Sequence, residues 1–366
     1  MSTVLAAVMS APHALVEIRE FPEPDLPPGG ALLRTALSEV CGTDVHLWHG
    51  RLSGVPYPII PGHVTTGTLE RVRGSLVDLR GGGPLREGDR VAFFDVHRTC
   101  GRCLACTVHR TPTRCPSRRV YGITDPAAEG LFGGWTQKVY LEPGVGVAKL
   151  PDAVSFESYI GGGCGLLTAV HIIERSRLSL GDTVVVQGAG AVGLCAAALA
   201  RHAGAGRVIV VGGPAARLAL AKDMGADAVV DLDAPVEERR ARVLEMTGGF
   251  GADVVIEAAG SARAFEEGLR FARNGGAYVI AGHYTNAGDS TINAHEHINR
   301  KHLEIRGCWG SEISHFARAL GALERYSRDV PFHRIGAKTF GLGAINDALR
   351  AAEAFAIPKA LVNPWI

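Results

Sequence analysis

Two textures of hydrophobic patterning divide the chain. Up to about residue 155, short apolar runs alternate with turns rich in Pro and Gly. Val16–Arg19, Ala31–Leu37, Val64–Arg71 and Val91–Phe94 read as strands, and Gly81-Gly82-Gly83-Pro84 as a turn cluster. This pattern predicts an irregular, mostly β domain. After Glu157 the rhythm becomes strand, helix, strand, helix. Thr183–Gln187 predicts a strand and Val192–Ala203 a helix; Val208–Val211 predicts a strand and Ala215–Met224 a helix. Ala228–Val230, Val254–Ala258 and Ala277–Ala281 read as further short buried strands, with helical segments before the last two. Such alternation implies an α/β domain, a parallel sheet covered on both faces. Beyond about Gly307 the rhythm is lost, and the chain is expected to return to the first domain. The expected division is 1–160 with 307–366, and 161–306.

Composition narrows the class. A chain of 366 residues favours two domains over one. Its 38 basic and 37 acidic residues leave a formal charge of +1, which gives no support for a nucleic-acid or anionic-membrane footprint. The uncharged stretch Thr183–Ala200 has about the length of a membrane span, but it contains Gln187 and three glycines, and reads as strand, turn and helix. Residues 1–16 lack a basic start and a small-residue cleavage site, so no export signal is expected. Eight cysteines in such a chain read as metal ligands and core thiols, in a reducing cytoplasm.

Gly188-Ala189-Gly190-Ala191-Val192-Gly193 matches G-x-G-x-x-G, follows the β-branched run Val184-Val185-Val186 and opens an Ala-rich helix. That context is what a dinucleotide-binding loop requires. Gly188 permits the tight turn, Gly190 lets backbone approach a pyrophosphate, and Gly193 lets helix pack on strand. Free N–H groups of the helix start, at Ala191 and Val192, then face the phosphates. The next strand ends in Val211-Gly212-Gly213-Pro214. Gly212 stands where an acid usually holds the ribose hydroxyls of NAD. No basic residue follows directly to take the 2′-phosphate of NADP, and Arg217, five residues on, could serve either. NAD(P) is therefore expected, with a slight lean to NAD.

Seven cysteine and histidine residues form two metal-like sets. Cys100, Cys103, Cys106 and Cys115 are spaced as a closed four-thiolate zinc cage, a structural site. Arg98, Arg102, Arg110, Arg114, Arg118 and Arg119 surround it in a stretch without acids, and are expected to offset its negative charge and face water. Cys41 and His63 supply two of the three protein ligands that an open, catalytic zinc site needs, and Cys164 is the best third. Asp44 is placed to accept from the His63 imidazole. Thr43 and His46 offer a hydroxyl and an imidazole as a route for an alcohol proton. Cys195 and Cys308 read as core thiols, and His295-Glu296-His297 as a solvated loop. His283 and Tyr284 follow a sheet strand and could approach a nicotinamide. Phe93, Phe94, Val96, Trp48 and Leu131 are candidates for an apolar pocket.

With these residues the chain resembles the medium-chain, zinc-dependent alcohol dehydrogenases over nearly its whole length. Cys41-Gly42-Thr43-Asp44-Val45-His46 is similar to the sorbitol and threonine dehydrogenase branch, and the Gly-rich segment with Cys164 to the alcohol dehydrogenases with a cysteine third ligand. The resemblance implies a GroES-like catalytic domain, a Rossmann domain, and a homodimer or homotetramer paired through an edge strand, here His302–Trp309. Two departures stand out. The family reads Gly-His-Glu where this chain has Gly62-His63-Val64, so a carboxylate behind the metal, which assists ligand exchange, is expected to be missing; Arg306 is the cation expected to support one if it were restored. The last spacing of the cage is one residue longer than usual.

The expected activity is hydride transfer between an alcohol, or its carbonyl product, and NAD(P). The alternatives are a zinc and nucleotide protein catalysing no net redox change, and a non-enzymatic nucleotide-binding sensor on the same fold.

Overall fold

A computed structural model describes residues 2–366. They form two compact units. The first runs through Gly163 and includes Glu312–Ser327 and Gly336–Ile366; the second comprises Cys164–Ser311 and Arg328–Ile335. The stretch after Gly307, assigned by its pattern wholly to the first domain, is thus divided between the two.

The first unit is built on a seven-stranded sheet. Its order is Gly336–Gly341, Lys359–Asn363, Ala31–Val40, Thr65–Val72, Arg90–Phe93, Val147–Lys149, with Lys138–Leu141 also pairing with Ala31–Val40. Ala31–Val40 is the hub, and most of its ten residues are buried, polar ones included. One apolar cluster gathers Leu33, Leu69, Val91, Phe93 and Val139; another gathers Met9, Val40, Leu47, Trp135 and Val362. Fully burying one such side chain contributes about 1.5–3 kcal/mol. The hub strand is therefore held on both faces, and the residues at its end are fixed with it.

The second unit carries a six-stranded parallel sheet in the order Ala228–Asp231, Arg207–Gly212, Thr183–Gln187, Ala252–Glu257, Ala272–Ile280, Glu304–Gly307. Val184 pairs with Val208 on one side and Val254 on the other. Val185, Ile209, Val255, Leu269 and Tyr278 fill the core. β-Branched residues suit these doubly covered strands. The order reverses between Thr183–Gln187 and Ala252–Glu257, and ligands of open α/β sheets bind at such a switch point, outside the carboxyl ends of the strands.

Among the elements not anticipated is a long, broken helix. Phe156–Ser176 is helical on either side of a break at Gly163, where φ is 45° and ψ −141°. Among the described residues no helix is long and apolar enough to cross a membrane; Thr183–Ala200 is strand, turn and helix.

Candidate active site

Strand Ala31–Val40 delivers Cys41 to the start of helix Gly42–Trp48. There the Cys41 sulfur accepts from the Thr43 backbone N–H at 3.3 Å, and the Asp44 carboxylate accepts from the Cys41 backbone N–H at 2.8 Å. This reciprocal cap fixes where the sulfur points. His63 leaves the Pro61-Gly62 turn with Nε2 3.9 Å from the Cys41 sulfur. The ligand atoms of Cys41, His63, Cys164 and Glu39 all lie within 4.8 Å of one another. Two thiols, an imidazole and a carboxylate at that range are a donor set suited to zinc.

Glu39 is the member that the sequence did not announce. It is fully buried, its Oε2 is 2.5 Å from Lys359 Nζ, and its Oε1 is 3.6 Å from His63 Nε2. Lys359 is buried too, and donates to the carbonyls of Ile160 at 3.0 Å and Gly162 at 3.4 Å. The expectation that Val64 leaves the pocket without a carboxylate is therefore corrected: the carboxylate comes from the neighbouring strand, whose Glu39 N–H bonds the Val64 carbonyl at 3.3 Å. Arg306 is not the supporting cation. It pairs with Glu304 and donates to the carbonyls of Arg175 and Ser176.

Asp44 does not accept from His63. One of its oxygens caps Cys41, and neither its other oxygen nor His63 Nδ1 has a hydrogen-bond partner. Burial pushes the Asp44 carboxyl well above its ordinary range, and the Cys41 charge adds to this. Burial also raises Glu39, against the pull of Lys359. For His63, burial acts downward, but the charge and hydrogen bond of Cys41, with Asp44 and Glu39, hold the imidazole well above its usual value. The pocket thus concentrates negative charge, which a cation would relieve. Thr43 and His46 lie half-buried on the helix behind Cys41, and burial lowers His46, favouring its neutral form.

The sulfurs of Cys100, Cys103, Cys106 and Cys115 also lie within 4.8 Å of one another. Backbone N–H groups of Arg102 and Cys103 bring Cys100 down to about 6. At Cys103 the Cys106 N–H acts the same way, but burial and the three other sulfurs push it up to about 11. One thiolate forms readily and the next is penalised by its neighbours, so the cage fits a divalent ion. The arginine halo is only partly as expected. Arg98 pairs with Glu142, Arg119 with Asp125 and Glu129, and Arg118 donates to the Thr113 carbonyl at 2.6 Å; Arg102 and Arg110 face water. None of the eight cysteines forms a disulfide.

In the second unit, helix Ala191–His202 starts at Gly190 with no side-chain cap, so the N–H groups at Ala191 and Val192 have no side-chain acceptor there. Gly188 has φ 106°, and a Cβ on it would meet the Ala258 carbonyl oxygen at 2.7 Å. A Cβ on Gly193 would lie 1.9 Å from the Gly188 carbonyl oxygen, whereas one on Gly190 would meet nothing within 4 Å. The loop is packed tight beneath and open above, the form a pyrophosphate cradle takes. Gly212 is glycine for a second reason besides the missing acid: a Cβ there would stand 2.9 Å from both the nitrogen and the Cβ of Ala189. Arg217, in helix Ala215–Asp223, is buried, and burial lowers its basicity.

Other candidates separate. Phe93 and Leu131 sit buried inside apolar clusters; Trp48 donates to the Ala14 carbonyl at 3.0 Å. Cys195 and Cys308 are buried. His295-Glu296-His297 begins a partly exposed π-helical turn, and among the described residues it forms no metal-like cluster. His283 does have a fixed partner, Glu257.

Comparison with known proteins decides the family. Residues 27–152 match the alcohol dehydrogenase GroES-like domain and residues 191–325 the zinc-binding dehydrogenase domain. The chain is 33% identical to 5-exo-hydroxycamphor dehydrogenase of Pseudomonas putida over 366 residues, 99% of each chain. The chain belongs to the medium-chain zinc-dependent alcohol dehydrogenase family. Its fold is shared with an alcohol dehydrogenase of Thermotoga maritima (TM-score 0.93, 33% identity, covering 99% of this chain and 100% of the other). It is shared too with a protein of Sinorhizobium meliloti 1021 described as a zinc-binding dehydrogenase and solved with NADP (TM-score 0.86, 26% identity, covering 100% of each). This dehydrogenase is thus an oxidoreductase of the alcohol dehydrogenase type, with a GroES-like domain and a Rossmann domain; neither the non-redox reading nor the sensor reading is favoured.

Proposed function

We propose that the protein oxidises an alcohol, or reduces the matching carbonyl, using one catalytic zinc, one structural zinc and NAD(P). The observation that carries this is the convergence of Cys41, His63 and Cys164 with their ligand atoms within 4.8 Å. Bound there, zinc supplies Lewis acidity toward the alcohol oxygen and the nicotinamide accepts the hydride. Cys41, His63 and Cys164 hold the metal, and the cap from Asp44 aims the Cys41 sulfur. The Thr43 hydroxyl takes the alcohol proton and His46, held neutral by burial, passes it to water. Cys100, Cys103, Cys106 and Cys115 hold the structural ion.

Gly188, Gly190, Ala191, Val192 and Gly193 cradle the pyrophosphate, and Gly212 and Arg217 flank the adenosine ribose. With no acid at Gly212, discrimination between NAD and NADP is weak, with NAD slightly favoured. The open edge strand Glu304–Gly307 is the surface through which a homodimer or homotetramer forms, and the reduced cysteines suit a cytoplasmic protein. The test is nicotinamide absorbance with a panel of alcohols and ketones and both cofactors. 5-exo-Hydroxycamphor heads the panel, because a relative matched over 99% of its length is named for it. Product formed without a stoichiometric absorbance change would overturn the reading.

A further inference from the structure

Cys41, His63 and Cys164 were legible as metal ligands; Glu39 was not, yet it stands among them. We propose that Glu39 is the fourth protein ligand of that metal and that Lys359 is the counter-ion that holds it in place. The inference rests on the zinc reading above.

The two carboxylate oxygens have different surroundings. Oε2 is bonded to Lys359 Nζ at 2.5 Å. Oε1 is buried and has no hydrogen-bond partner. Its contact with His63 Nε2, at 3.6 Å, is too long for a hydrogen bond. A buried anionic oxygen left without a donor is costly, and an ion is one of the things that accounts for it. In a tetrahedral shell with bonds of about 2.0–2.3 Å, neighbouring ligand atoms stand about 3.3–3.8 Å apart. Of the separations here, 3.6 Å from Glu39 to His63 falls within that range and 3.9 Å from Cys41 to His63 is slightly longer.

Charge and space agree with this division. Two thiolates balance a divalent ion; the carboxylate adds one negative charge and Lys359 returns one positive, so the buried cluster is neutral. The three N–H groups of the Lys359 ammonium find three acceptors: Glu39 Oε2, the Ile160 carbonyl and the Gly162 carbonyl. The same segment then presents Cys164. Between them, Gly163 has no side chain to intrude: a Cβ there would stand 2.0 Å from Glu39 Oε2 and 2.3 Å from Lys359 Nζ. Glu39 is also the one member of the set whose second oxygen is already salt-bridged. Its charge would therefore stay balanced by Lys359 whether or not Oε1 holds the metal.

The test is cadmium-113 NMR of the full chain loaded with cadmium alone. The wild type should show one resonance from the four-sulfur cage and one from the mixed site. In Glu39→Gln the mixed-site resonance should move and its cadmium affinity fall at least about tenfold, the loss typical of even an outer-shell partner. The cage resonance should stay where it is. Because Glu39→Gln leaves a buried ammonium unpaired, the double variant Glu39→Gln/Lys359→Met, which removes both charges, is measured beside it. It should fold and show the same displaced resonance. A mixed-site resonance and affinity unchanged from wild type in the variants would show that Glu39 is no ligand. Cadmium uptake by wild type at the cage alone would instead overturn the zinc reading, and this inference with it.

Discussion

His283 Nδ1 stands 2.9 Å from an oxygen of Glu257, a carboxylate that is itself fully buried. Glu257 also accepts from the backbone N–H groups of Ala259 at 2.8 Å, Gly260 at 2.5 Å and Gly282 at 3.1 Å. With Nδ1–H committed to the carboxylate, the other ring nitrogen is left for a ligand. Both residues lie at the carboxyl ends of adjacent strands, beside the switch point where a dinucleotide binds. His283→Phe should weaken NAD(P) binding roughly 2- to 10-fold, the value of one hydrogen bond. ADP-ribose, which has no nicotinamide, should bind as before. Fluorescence titration with both ligands decides it; equal weakening of the two would mean that His283 only shapes the fold.

Metal content separates the two cysteine sets. Cys41→Ser should abolish turnover in a folded chain, whereas Cys103→Ser should lower the melting temperature, because a closed cage contributes folding free energy. Elemental analysis should find about two zincs per wild-type chain. A Cys41→Ser protein that retains both metals and its activity would remove Cys41 from the site.

Thr43 stands two residues after Cys41, the proposed metal ligand, so Thr43→Ala should slow turnover by roughly 10²-fold or more, the scale of one acid–base contribution. His46→Gln should cost less, since water can replace the outer member of the relay. The pH profile of kcat in both variants is the measurement. Wild-type rates for Thr43→Ala at every pH would end the relay.

Cofactor choice is better probed at Gly213 than at Gly212. An aspartate at Gly212 would press its Cβ into Ala189 and disturb the phosphate loop, so it should weaken both cofactors. At Gly213 a Cβ meets nothing nearer than 3.8 Å. Gly213→Asp should therefore repel the 2′-phosphate of NADP and leave NAD usable, seen as a fall in kcat/KM for NADP alone. A wild-type preference beyond about a thousandfold, roughly 4 kcal/mol, would assign selection to other residues.

Acid should weaken the second unit through Asp253. Burial raises this carboxyl, but the Thr183 N–H at 2.7 Å and the Arg273 guanidinium at 2.6 Å outweigh it and hold it below its ordinary value. A lowered carboxyl stabilises the fold above its unfolded value, about 3.9, and that contribution is lost as pH falls through the folded one. The melting temperatures of wild type and Asp253→Asn should differ at pH 6 and converge below about pH 4. A gap that does not narrow as pH falls below about 4 would contradict the assignment.

Much of this was written in local sequence. Strand Thr183–Gln187 was legible to its ends because β-branched residues, a glycine turn and an Ala-rich helix agree with one another. The Cys100–Cys115 cluster was legible because its spacing is short-range chemistry. What stayed hidden depends on residues distant in the chain. Glu39 lies in an apolar strand, and the only local sign was an acid two residues before Cys41. Its partner Lys359 is 320 positions away. Asp44 was assigned to the imidazole of His63, but it is consumed nearer at hand by the cap of its own helix. Phe93 and Leu131 look like pocket residues in a sequence and are core in the fold, since periodicity shows burial without showing what covers a side chain.

The break at Gly163 has a consequence for inheritance. Glu39, Gly163 and Lys359 occupy one small volume, so none of them can change alone without leaving a buried charge unmatched or a carbon atom overlapping the other two. Evolution should treat them as one character. Relatives that keep a glutamate at the position of Glu39 should keep a glycine and a lysine or arginine at the other two, and relatives with a glutamate at the position of Val64 should be released from all three. A family tree coloured by these positions would then show a single coordinated exchange, made once and passed on whole.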